Sequence, residues 1–201
     1  MPHQSFESSL SSPAPTLVEH GPLLECAHVG ADAAPTLRIR ARRAYACSEE
    51  ELFRTWTARS AWERWMRLRA RSRASIGPYQ GGAFRLELAE GPTIHVVTGV
   101  VLKLQAPNHL RLSWQHLEGA GRASTVDVTV RHRLDWTELV LTHGDIGSRR
   151  DAAWLMRLWT IALGRLGDHI VAQGSQSALL RRRMFRLVAS EGVVQRPSSR
   201  V

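Results

Sequence analysis

A chain of 201 residues with 43% apolar side chains can build one domain with its own core, without disulfides or a structural metal. No window approaches the ~18 apolar residues of a membrane span, and the first 24 residues lack a basic start followed by an apolar run, so neither a spanning nor an exported chain is expected. A cytoplasmic location follows, and in that reducing setting Cys26 and Cys47, which form no CxxC, are expected as two thiols.

The formal net charge of +9 rests on arginine, with Lys103 the single lysine among 27 bases, a bias of GC-rich and typically bacterial genomes. Residues 1 to 36 have no bases and four acids, net −4; residues 37 to 173 have 21 bases and 13 acids, net +8; residues 174 to 201 have six and one, net +5. Ser, Pro and Ala dominate the first segment without periodicity, which predicts a disordered leader over residues 1 to 36.

The domain is expected over residues 37 to 173. "LRIRARRAYA" places Leu37, Ile39, Ala41 and Tyr45 at alternate positions, as a half-buried strand does, with Arg43 breaking the pattern. Ser48 with Glu51 three residues on is a capping box, so a helix of about ten residues follows; Ser60 is the expected N-cap of a second, short one. From Leu68 period two returns, with turns at Gly81-Gly82, Gly91-Pro92, Pro107-Asn108, "EGAG" and "DW", which predicts an antiparallel meander of about six strands beginning at residue 68. Leu155, Trp159, Ala162, Leu166 and Ile170 then form one apolar stripe about six turns long, so a long helix should close the domain across one face of the sheet. Residues 174 to 201 read as a basic, partly helical tail.

This α+β order, one strand, two short helices, a meander and a long helix, resembles the helix-grip fold of the START-like (SRPBCC) superfamily. Tyr45, Trp56-Thr57, Trp65, Gly81-Gly82, Gly99, "APNHLRLSW", "STVDVTVRHRLDWTELVLTH" and "WTIALGRL" resemble, in order, the motifs of the heat-shock ATPase activator homologue family over about residues 38 to 172. Cys47-Ser48 departs from its Ala-Pro, Leu158 from its glycine, and Gln105-Ala106 from its acidic residue before the strand proline. The resemblance implies a curved antiparallel sheet of about seven strands around the C-terminal helix, enclosing a cavity for a small apolar or amphipathic molecule.

In that implied cavity strand parity places Arg43, Tyr45, Ser72, Phe84, Leu86, Leu112, Trp114, His116, Val128 and Leu141 as ligand-binding residues, with Ala70, Ala74, Val126 and Leu139 beside them, and the helices add Trp65, Leu155, Trp159 and, beside them, Leu166. In "FRTWTARSAWERWM", Trp56 and Trp65 are expected to seal one end of the core, Trp62 to stand at the rim, and Arg54, Arg59 and Arg64 to face solvent.

Among the strand histidines, parity turns His116, His132 and His143 inward and leaves His95 out; His116 and His143 are expected roughly 13 Å apart, too far for one metal. Neither a metal nor another cofactor is expected. No nucleophile elbow, phosphate loop or His-carboxylate pair at readable spacing is present, so the superfamily's cyclase and hydrolase members supply an alternative function through Ser72, His116 or Arg43, and no catalytic residue is assigned. The family name supplies a second alternative, co-chaperone action on a heat-shock ATPase. Arg181, Arg182, Arg183 and Arg186 lie on an amphipathic tail suited to weak contact with an anionic membrane or a protein, while the outer-face arginines lack interleaved aromatics and imply no specific nucleic acid.

Overall fold

The computed structural model describes residues 23–27, 36–117 and 123–191, with side chains over 37–117 and 123–174. Most of the expected leader, the "EGAG" turn, residues 192–201 and the side chains of Cys26, Arg181, Arg182, Arg183 and Arg186 lie outside the described residues.

The leader is not wholly without structure. Strand β1 (Leu23–Ala27) pairs antiparallel with β2 (Thr36–Tyr45), with Leu24 opposite Ile39 and Cys26 opposite Leu37. Five residues are too few to declare a strand by periodicity; what orders them is the edge of β2, which would otherwise present unpaired amides and carbonyls.

Helix α1 (Glu49–Thr57) starts where the capping box predicts: the amide of Glu51 donates to Ser48 Oγ at 3.1 Å, with three glutamates in the first turn. Ser48→Ala is expected to lower stability by about 1 kcal/mol, read as a shifted urea midpoint with an unchanged slope. Helix α2 (Arg59–Trp65) begins earlier than expected. Its N-cap is Ala58 and not Ser60, because Ala58 both ends α1, donating to the Arg54 carbonyl, and starts α2, its own carbonyl accepting from Ala61 and Trp62.

The meander is β3 (Arg73–Ile76), β4 (Ala83–Glu90), β5 (Thr93–Gln105), β6 (His109–His116), β7 (Ser124–Arg133) and β8 (Trp136–Ile146), all antiparallel. The strand expected from residue 68 starts only at Arg73. Residues 68 to 72 are drawn into a turn by the Ser72 amide on the Arg69 carbonyl and the Arg67 guanidinium on the Ala70 carbonyl, and their alternation has no partner strand. The sheet order β1-β2-β8-β7-β6-β5-β4-β3 sets the first and last long strands, β2 and β8, side by side, one strand in from the β1 edge.

Helix α3 (Arg149–Glu191) is capped by Ser148, whose Oγ accepts from the Asp151 amide at 3.0 Å. It runs for 43 residues and passes residue 173 without a break. Its whole expected stripe is buried, widened by Leu158 and Leu163. The inner sheet face answers with Phe84, Leu86 and Leu88 on β4, Leu110, Leu112 and Trp114 on β6, Val126, Val128 and Val130 on β7, and Leu139 and Leu141 on β8. This is the helix-grip α+β arrangement: an open antiparallel sheet closed on one face by a long helix.

Candidate functional site

Six rings close a circuit inside the sheet-helix layer. Trp56 meets Trp65 at 4.8 Å between centroids, Trp65 meets Trp62 at 6.1 Å, Trp62 meets Phe84 at 5.5 Å, Phe84 meets Trp114 at 5.6 Å, Trp114 meets Trp159 at 5.2 Å, and Trp159 returns to Trp56 at 6.2 Å. Tilted and offset contacts at these distances suit the ring quadrupoles. Five elements donate rings: α1, α2, β4, β6 and α3.

Trp62 was expected at the rim and is instead fully buried, because Phe84 on β4 covers the α2 face that local spacing leaves open. The arginines between the tryptophans face solvent as expected, and Arg59 pairs with Glu63 at 3.6 Å. The stretch is thus core on one side and solvated on the other.

The indole N–H groups are treated unequally. Trp65 donates to the Thr55 carbonyl at 2.9 Å and Trp159 to His143 Nδ1 at 3.0 Å. Those of Trp56, Trp62 and Trp114 are buried with no acceptor among the described residues. A buried donor left unsatisfied costs about 1–3 kcal/mol, so three around one circuit call for an explanation.

Beside the circuit, Ser124 Oγ lies 2.8 Å from His143 Nε2, the spacing of a nucleophile and its base. The hydrogens run the other way. Trp159 N–H occupies Nδ1, and full burial pushes the imidazole down to about 3, so it is neutral and its proton sits on Nε2. Nε2–H therefore donates to Ser124 Oγ, whose own hydrogen goes to the Trp114 carbonyl at 3.1 Å. No lone pair remains to activate the hydroxyl, and the chain of bonds fixes β6, β7, β8 and α3 to one another. Cys47 is no readier: burial, then Glu51, pushes its thiol up to about 12.

At one margin, His116 stacks on Trp154 of α3 at 5.0 Å and 9°, with His95 at 5.3 Å from His116 and 5.5 Å from Trp154. Glu90 accepts from Trp154 Nε1 at 3.3 Å. His95, expected on the outer face, lies on the inner one with Val97 and Val101, where its register opposite Leu88 turns it. His132, expected inward, is exposed: it stands near the end of β7, where its amide donates to Glu49 of α1.

The other expected site residues separate into groups. Phe84, Leu86, Leu112, Trp114, Val128, Leu141, Leu155, Trp65 and Trp159, with Val126, Leu139 and Leu166, are buried together in the interior. Tyr45 joins them and ties β2 to α3, its hydroxyl donating to the Leu163 carbonyl at 3.0 Å. Arg43 keeps the inner side of β2, half-buried between Ala41 and Tyr45. Ala74 is half-buried against the core. Ala70 and Ser72 do not line the interior. Lying before β3, they border an outer cleft, and Ser72 Oγ accepts from the Ala89 amide at 3.1 Å.

Among the described residues no group of three His, Cys, Asp or Glu is placed to hold a metal, and no helix is long and apolar enough to cross a membrane.

Solved structures share this architecture. CalU16 from Micromonospora echinospora superposes with a TM-score of 0.57 at 20% identity, over 83% of this chain and 95% of its own. A protein from Rhizobium leguminosarum gives 0.58 at 17% identity, over 75% and 98%. DynU16, from the dynemicin biosynthetic locus, gives 0.55 at 19% identity, over 66% of this chain and 46% of its own. Among curated proteins none matches the sequence. The family model described as Activator of Hsp90 ATPase homolog 1-like protein matches residues 46–170, from the end of β2 through the buried stripe of α3. With more than half of its length in that match, the chain belongs to the Activator of Hsp90 ATPase homolog 1-like family.

Proposed function

We propose that the chain is a binding module for a small molecule with a flat apolar body and at least one hydrogen-bond acceptor, held in the interior between the sheet and α3. The observation that carries this reading is the aromatic circuit with three buried indole donors, on Trp56, Trp62 and Trp114, that no described acceptor satisfies. Packing alone needs the rings and not the N–H groups; phenylalanine would fill similar space without the desolvation cost. A ligand carbonyl or carboxylate would recover that cost while its body stacks on the rings. The expected residues Tyr45, Leu86, Leu112, Val128, Leu141 and Leu155 then serve as apolar walls, with Arg43 and His116 nearer the margin. The reversed Ser124–His143 polarity favours binding over a cyclase or hydrolase reaction.

Native mass spectrometry of the purified chain, followed by denaturation and analysis of what is released, tests the reading. A stoichiometric companion bearing an acceptor group is the expected result. A chain that is empty and shows no thermal shift with polycyclic aromatic acids or fatty acids would sink it, and a companion that turns over would indicate an enzyme. Trp114→Phe is expected to leave the empty fold as stable or up to about 1 kcal/mol more stable, and to weaken the companion about tenfold.

A further inference from the structure

A second feature lies outside the helix-grip interior. Arg67, Arg71 and Arg73 border a cleft of about 490 Å³ at the β3 end of the sheet, with Glu87 of β4 and Ile94 of β5 as further walls and Ser72 at its base. Four arginines elsewhere among the described residues have carboxylates: Arg59 at 3.6 Å, Arg85 at 3.1 Å, Arg111 at 3.5 Å and Arg133 at 2.9 Å. Among the described residues, none of the three cleft arginines has a carboxylate within ion-pair range. Glu87 stands opposite Arg73 in the β3–β4 register, yet its carboxylate is taken by Arg85.

The walls carry three positive charges and one negative, an excess of two facing one concave space. A phosphate monoester carries about −1.5 to −2 near neutral pH and offers three acceptor oxygens, whereas a carboxylate carries one charge and two oxygens. Guanidinium forks match phosphate oxygens in pairs, and Arg67 is already oriented by its bond to the Ala70 carbonyl at 3.1 Å. Ile94, half-exposed, supplies an apolar wall for whatever bears the phosphate. We propose that this cleft binds the phosphate group of a small phosphorylated molecule or of a lipid headgroup.

The full chain is titrated with inorganic pyrophosphate by calorimetry at low salt, and sedimented with phosphatidylcholine vesicles with and without phosphatidate. Pyrophosphate is expected to bind one to one, weakening about tenfold for each of Arg67→Ala, Arg71→Ala and Arg73→Ala. Arg54→Ala, Arg131→Ala and Arg150→Ala, which remove exposed charge elsewhere, are expected to keep wild-type affinity within about twofold. Pyrophosphate binding without vesicle association assigns the site to a soluble phosphorylated molecule; association with phosphatidate vesicles that the cleft substitutions abolish assigns it to a headgroup. Neither kind of binding, or equal weakening in both sets of variants, would overturn the proposal and leave the arginines as guards of an edge strand. The outcome is independent of the interior ligand, since no residue of the aromatic circuit borders the cleft.

Discussion

Gly99→Ala is expected to destabilise the chain by about 3 kcal/mol, the upper end of what overpacking a core costs. A Cβ built there lies 2.0 Å from the Ser113 carbonyl oxygen and 2.5 Å from Cε1 of Phe84. The first contact is backbone and cannot rotate aside; the second is a ring wedged between Trp62 and Trp114. Relief therefore requires moving β5 off β6 or opening the aromatic circuit. Gly147→Ala is the comparison, since nothing lies within 4 Å of its added carbon, and its effect should stay within about 0.5 kcal/mol. Urea unfolding of both variants measures the difference. Equal midpoints would mean that β5 and β6 yield easily there and that glycine is not required by close approach.

The second large effect is a loss of stability in mild acid that belongs to His143. Unfolded, its imidazole titrates near the ordinary 6.5; folded, burial holds it neutral down to about 3. Between those values the unfolded chain binds the extra proton, so stability is full above about pH 6.5 and falls as pH drops, by roughly 1.4 kcal/mol per unit, reaching about 2 kcal/mol at pH 5. Below about 3 the folded state takes the proton as well and this contribution levels off. His143→Gln carries no such proton. It should be less stable than wild type at pH 7, because Ser124 and Trp159 lose their partner geometry, but its stability between pH 7 and 5 should be flatter by about that 2 kcal/mol. Parallel curves for the two proteins would show that another group causes the acid loss.

Local rules made much of the frame legible. The Ser48 cap, the alternation along β4, β6, β7 and β8 and the α3 stripe each concern residues within a few positions, and local backbone geometry dictates which of them share a face. Gly99 was legible as a motif residue, though the reason for it, the Ser113 carbonyl of another strand, was not.

Where the structure departs from local expectation, a distant partner decides. β1 exists because β2 offers an edge; residues 68 to 72 leave the sheet because nothing pairs with them; Trp62 is buried because Phe84 arrives 22 positions later; His95 turns inward through its register with Leu88. Of the candidate site, Trp56, Trp65, Phe84, Trp114 and Trp159 were legible as inward residues, while its polarity and its unmet donors belong to this second category. That His143 is a donor rather than a base depends on Trp159 and Ser124, 16 and 19 residues away, and the three unsatisfied indoles can be counted only once every neighbour is in place. The sequence by itself determined which residues are apolar, how they repeat and hence the layers of an α+β helix-grip domain. Tertiary structure alone decided hydrogen-bond polarity, burial of individual rings and the meeting of Arg67, Arg71 and Arg73 with Glu87 and Ile94 around one cleft, since each depends on side chains that meet in space without being near in the chain.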